Sequence, residues 1–164
     1  ILLSEKMRIE ETDTCATLKD RLAITGADLL AKTVSLLKEG KHEPVQQDSS
    51  KATYAPMLKK TDGLIHWDKG AKMIRDLIRG MNPWPGTYTQ WNGKRLKVLD
   101  GKLSGREVND RPGTVVKRSC DGIAVVTGDG CFVITMLQPE NKKAMRAEDF
   151  IRGYGLKEGD SFVL

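Results

Sequence analysis

The sequence predicts a mainly β domain, a small closed or partly open antiparallel barrel with added helices, preceded by a strand and a helix that belong elsewhere. Three observations predict it. From Gly86 onward, short runs rich in β-branched and aromatic residues are separated by Asn-Gly and Asp-Gly pairs, as in tight hairpins. The run WDKGAKMIRDLIRGMN repeats its apolar residues at helical spacing. Residues 41–65, with Pro44, Pro56, Gly63 and a Gln-Gln-Asp-Ser-Ser run, have the composition of a linker.

The first unit reads as an extended piece and then a helix. LLSEKMRI alternates weakly, as a strand would. Thr12, Asp13 or Thr14 offers a side-chain oxygen to a free backbone N–H at a helix start. Leu18, Leu22, Leu29, Leu30 and Leu37 then recur near helical spacing; Gly26 is a point where the helix kinks or divides, and Gly40 ends it. One strand and one or two helices are too little to bury their own apolar face, so this unit is expected to lean on something upstream; packing on the later domain is the alternative. The chain begins with Ile and is read as a fragment of something longer. Within the linker, Tyr54, Met57, Leu58 and Ile65 are expected to pin it to a surface.

A second helix is expected over residues 68–82, with Asp68 as its N-cap. Ala71, Ile74, Leu77, Ile78 and Met81 form one apolar stripe, and Lys72, Arg75 and Arg79 one basic ridge. It must stop near Asn82, because Pro83 disfavours the helical conformation in the residue before it. Asn82, Pro83, Trp84 and Pro85 then make a stiff corner, with Trp84 held extended between two residues of fixed φ. Trp84 is expected to plug the seam between helix and barrel. The corner also aims the basic ridge at the hairpin that carries Lys94, Arg95 and Lys97.

Five strands follow. GTYTQW and KRLKVLDGKL flank Asn92-Gly93; GTVVKRS and GIAVVTG flank a turn at Asp121-Gly122; Asp129-Gly130 turns into CFVITMLQ. RAEDFIRG reads as a short helix and EGDSFVL as a closing strand. Tyr88 and Trp91 lie three apart and so face opposite sides of their strand, which argues against a pair of stacking aromatics there.

Charge and composition narrow the function. Residues 1–65 are neutral, and residues 66–164 carry the whole net charge of +5. Between Lys69 and Arg106 nine basic residues face only Asp76 and Asp100. Such a segment suits a polyanionic partner; a solvated mixed surface is the bland alternative. No run of 18 apolar residues spans a membrane. Cys15, Cys120 and Cys131 are few and scattered, and the only histidines are His42 and His66, so neither a disulfide framework nor a metal site is expected, and a cytoplasmic setting fits.

ATYAPMLKKTDGLIHW, IRGMNPWPGTYTQW, PGTVV, VTGDG, LQPENKKAM and AEDFIRGYGLKEGDSF occur in that order. Together they resemble the C-terminal part of the bacterial methionyl-tRNA formyltransferase family, over essentially the whole chain. The resemblance implies the division 1–41, end of a Rossmann-like catalytic domain; 42–65, linker; 66–164, an OB-like barrel that binds tRNA. It implies transfer of a formyl group from 10-formyltetrahydrofolate to the amino group of methionyl initiator tRNA. The catalytic and folate-binding residues would lie upstream of residue 1, so none is assigned and the fragment alone is expected to be inactive. His66 falls where the family usually has a carboxylate or amide, a departure that bears on nothing catalytic.

The partners implied are initiator tRNA and the upstream catalytic domain, with a monomer expected. Candidate nucleic-acid-binding residues are Lys72, Arg75, Arg79, Lys94, Arg95 and Lys97, with Lys142 and Lys143 before the last helix. Cations remote from the chemistry can position a phosphate backbone without taking part in bond-making. Two alternatives remain. One is the structural C-terminal domain of a related 10-formyltetrahydrofolate hydrolase or dehydrogenase or a sugar-nucleotide formyltransferase, with no RNA bound. The other is an independent nucleic-acid-binding module, against which the severed strand and helix argue.

Overall fold

The computed structural model describes residues 1–105, 108–119 and 121–162. The chain divides into two compact units, Ile1–Met57 and Leu58–Leu164.

The first unit is built on one helix, α1 (Cys15–Lys38). Thr14 caps it: its hydroxyl accepts from the Thr17 amide, while the Thr17 hydroxyl accepts from the Thr14 amide. Buried Asp13 braces the cap, accepting from the Glu10 amide at 2.8 Å, from the Thr17 hydroxyl and from Arg21. Gly26 neither divides nor ends the helix; Gly40, at φ 69°, follows its end as expected. The strand expected over residues 2–9 does not form. The Ile1 terminal ammonium instead donates to Val45 O at 2.7 Å and the Val45 amide donates to Ile1 O at 2.8 Å, and no neighbouring strand continues that pairing. No residue of α1 is buried within the described chain. The linker is less pinned than expected: Tyr54 and Met57 are 90% and 86% exposed.

The second unit is an antiparallel sheet with two helices. Its strands are β1 (Thr87–Trp91), β2 (Lys94–Ser104), β3 (Val115–Ser119), β4 (Gly122–Thr127), β5 (Gly130–Pro139) and β6 (Met145–Arg146). The spatial order is β1-β2-β5-β4-β3, an open path, with β6 also on β5. The five expected strands are all present. Short β6 adds to them; its two residues give no alternation to read in the sequence. Asn92 and Gly93, at φ 50° and 71°, make the β1–β2 turn in the left-handed conformation those residue types tolerate. Eleven-residue β2 bends at a register shift between Val98 and Gly101, which lets it pair with β1 at one end and with β5 along its length. Every residue of β4 is buried, as its near-continuous apolar run requires.

Two details correct the sequence reading of this sheet. Thr127 pairs with Gly130, so the β4–β5 turn is centred on Gly128-Asp129 rather than Asp129-Gly130. Among the described residues, the closing strand shows one bridge, Ser161 with Thr114, beside which the Phe162 amide donates to Gly113 at 2.8 Å. Cys120, in the expected second hairpin, and Val163 and Leu164, in the closing strand, lie outside the described residues.

Helix α2 (Ala71–Gly80) is shorter than expected, and Asp68 does not cap it. Gly70 is the N-cap and has no side chain to offer. The cap comes from the β4–β5 turn instead: Asp129 Oδ1 accepts from the Ala71 amide at 2.7 Å. The Gly128 amide donates to Lys69 O at 2.9 Å, and a side chain on Gly70 would run into the Asp129 carboxylate. Ala71, Ile74 and Ile78 enter the core as their spacing predicts. Helix α3 (Ala147–Tyr154) contributes Ala147 and Phe150. These meet Ile65, Trp67, Leu96, Val98, Phe132 and Leu137 in one cluster. The Trp67 indole N–H, buried there, donates to the Thr89 hydroxyl at 3.0 Å.

Candidate nucleic-acid interface

The residues between α2 and β1 form a turn, not an extended link. The Gly86 amide closes it on Met81 O at 2.9 Å, and the Asn82-Pro83 and Trp84-Pro85 bonds are cis. Trp84 therefore does not plug the helix–sheet seam, which Ile74, Ile78, Leu96 and Val98 already fill; the residue is 55% exposed.

The basic ridge of α2 is present but not open. Lys72, Arg75 and Arg79 converge on Asp76, at 3.3, 3.3 and 3.0 Å. Lys72 is 69% exposed, whereas Arg75 and Arg79 keep only 21% and 24% of their side-chain surface. Burial pushes the Asp76 carboxyl up, but hydrogen bonds from Arg79 and Lys72, with their charges, outweigh it and hold the group below its ordinary value. The i,i+4 and i,i+3 spacings of Lys72, Asp76 and Arg79 carried this pairing in the sequence. The ridge thus leaves Lys72 exposed, while its two arginines are largely covered and paired with Asp76.

The hairpin cations are freer. Lys94, Arg95 and Lys97 are exposed on β2. Tyr88 pairs across the ladder with Lys97, and the Arg95 guanidinium lies 4.0 Å above the Tyr88 ring. Lys142 and Lys143 are exposed in the connection from β5 to β6. The Gln138 side chain donates to Lys142 O at 2.7 Å and so fixes that loop against β5. Lys94, Arg95 and Lys142 line one cleft; Arg95 and Lys97 line another, with Gln138 and Glu140. Four of the eight candidates are thus gathered at one end of the sheet, and three around Asp76. Lys143 lines neither cleft. Arg106, the last cation of the basic segment, lies outside the described residues.

Among the described residues, no group of three or more His, Cys, Asp or Glu could hold a metal, and no helix is long and apolar enough to cross a membrane. What the arrangement can do is bind phosphate oxygens over an extended surface.

A two-helix antiparallel sheet of this order, with a basic hairpin end, defines a class. The family model of the formyl transferase C-terminal domain matches residues 57–155, and the chain belongs to that family. Along nearly its whole length it is similar to proteins named methionyl-tRNA formyltransferase. The relative from Bacillus velezensis is 43% identical over 156 residues, covering 94% of this chain and 49% of the relative. The one from Bacillus licheniformis is 44% identical over 160 residues, covering 97% and 51%. The chain spans about half the length of the curated relatives it matches. Crystal structures of HypX from Aquifex aeolicus share the fold, with a TM-score of 0.57 at 16% identity for one variant, over 80% of this chain and 24% of HypX. Another, in complex with tetrahydrofolic acid, gives 0.56 at 17%.

Proposed function

We propose that this chain is the C-terminal part of a cytoplasmic, monomeric methionyl-tRNA formyltransferase, and that it binds and positions initiator tRNA for chemistry performed by an upstream domain. That domain would take 10-formyltetrahydrofolate as co-substrate and formylate the methionyl amino group. The observation that carries the reading is the gathering of Lys94, Arg95, Lys97 and Lys142 at one end of the sheet, in a chain 43% identical to a methionyl-tRNA formyltransferase.

The physics suits the task. The reacting amine sits at the end of a large polyanion, and cations far from it contribute binding and orientation. Lys72 extends the cationic surface to α2. The first unit, whose only long helix has no fully buried residue, supplies an apolar surface for the upstream domain: Ile24 is 69% and Leu30 65% exposed.

The test is binding of the chain to initiator tRNA across a salt series, beside a variant with Lys72, Lys94, Lys97 and Lys142 each changed to Glu. All four are exposed, so the variant should fold. Binding that weakens steeply with salt and is largely lost in the variant supports the reading. A folded chain that binds no tRNA even at low salt overturns it and leaves the unit as a structural cover.

A further inference from the structure

The aromatic residues at the basic end of the sheet form a row that leads outward from the core. Trp91, at the end of β1, donates its indole N–H to Asp160 at 3.2 Å and meets the Phe150 ring edge-on, 5.2 Å between centroids. Phe150 is buried in the core and stacks on Tyr154, 4.6 Å away and inclined by 18°. Tyr154, at the end of α3, is 37% exposed. The row borders a cleft of about 360 Å³, also lined by Lys94, Arg95, Lys142 and Glu140. Core packing accounts for Trp91 and Phe150. It does not account for a tyrosine ring that continues the stack to a cleft also lined by three cations.

We propose that this cleft is a site for a single unpaired RNA nucleotide, its base stacked in the aromatic row and its phosphate held by Lys94, Arg95 and Lys142. The volume lies at the small end of ligand sites. Single-stranded RNA is recognised by bases splayed onto aromatic rings, with cations tracking the backbone. Stacking of Arg95 on Tyr88 fixes one cation at the rim. Glu140, exposed on the same cleft, repels phosphate from its own side and can accept N–H donors from a base edge. Since duplex RNA hides its bases, the site gives the surface a preference for loops.

The inference rests on the RNA-binding reading above, and the experiment separates the two. The chain is titrated with a short RNA hairpin bearing an unpaired loop and with a blunt duplex of the same stem. It should prefer the hairpin by about tenfold, the scale of one stacked base. Tyr154→Ala should bring the ratio near one, and Tyr154→Phe, which keeps the ring, should restore the preference. Equal binding of hairpin and duplex by the unmodified chain, or a preference that survives Tyr154→Ala, overturns the nucleotide site and leaves the tRNA reading standing. No binding of either RNA at low salt removes both. Should Tyr154→Ala not fold, the unmodified chain is irradiated with a hairpin carrying 5-iodouridine in its loop. Cross-links at Tyr154 or Trp91 are expected, and cross-links confined to other residues overturn the proposal.

Discussion

The carboxylate of Asp129 caps α2 by accepting from the Ala71 amide at 2.7 Å, across 58 residues of sequence. The Thr127 hydroxyl donates to the same oxygen at 3.1 Å. A turn of the sheet therefore fixes the start of the helix that carries Lys72, Arg75 and Arg79. Asp129→Ala should lower the stability of the second unit by about 1–2 kcal/mol, the range for losing a side-chain cap. Urea denaturation followed by tryptophan fluorescence checks it, since Trp67, Trp84 and Trp91 all lie in that unit. A change within error would mean that the cap contributes nothing.

Thr89 and Trp67 meet inside the core, where they are 0% and 5% exposed. Thr89→Val keeps the shape but removes the acceptor of the indole N–H. Destabilisation of about 1–3 kcal/mol is expected, the cost of a buried donor left without its partner. The same denaturation measurement applies.

Trp84→Ala should be mild. A buried tryptophan truncated to alanine costs about 3–5 kcal/mol, whereas an exposed side chain away from caps and cores costs about 0.5 kcal/mol or less. With 55% of its surface exposed, Trp84 belongs to the second case. A loss above 2 kcal/mol would return Trp84 to the core.

Acid should act on the α2 network through Asp76. Its carboxyl is held below the ordinary value in the folded chain. Its contribution is therefore fully present above the unfolded pKa, about 4, and is lost as pH falls through the lower folded value. The urea midpoint of the second unit should fall more steeply below about pH 4 in the unmodified chain than in Asp76→Asn, where that carboxylate is absent. Parallel curves for the two proteins would count against the network.

Salt should discriminate among the basic residues. Changing exposed Lys94 or Lys97 to Ala should reduce the slope of log affinity for tRNA against log salt by about one each, the signature of a lost phosphate contact. Changing Arg79 to Ala should instead lower stability, because its guanidinium bonds Asp76 at 3.0 Å. A slope that changes for Arg79 alone would reverse the roles given to the two clusters.

The sequence alone determined the elements whose signals are local. The Asn92-Gly93 turn, the apolar stripe of Ala71, Ile74 and Ile78, the proline stop after Asn82 and the five main strands all follow from residue type and spacing within a few positions. The motif order that pointed to the formyl transferase family was equally legible, and so was the basic bias of the segment from Lys69 onward. Tertiary structure decided whatever depends on partners distant in sequence. Asp68 stood at the right place for a cap, yet Asp129 supplies it, because the β4–β5 turn docks on the start of α2. Trp84 had the composition of a plug, yet residues already packed between helix and sheet leave it no seam to fill. The weak alternation of residues 2–9 made no strand, since a strand needs a neighbour to take its hydrogen bonds. Trp91, Phe150 and Tyr154 are joined in one row only by the packing of α3 against the sheet. Local spacing fixes which elements form; which side chains meet is set by how those elements share one core.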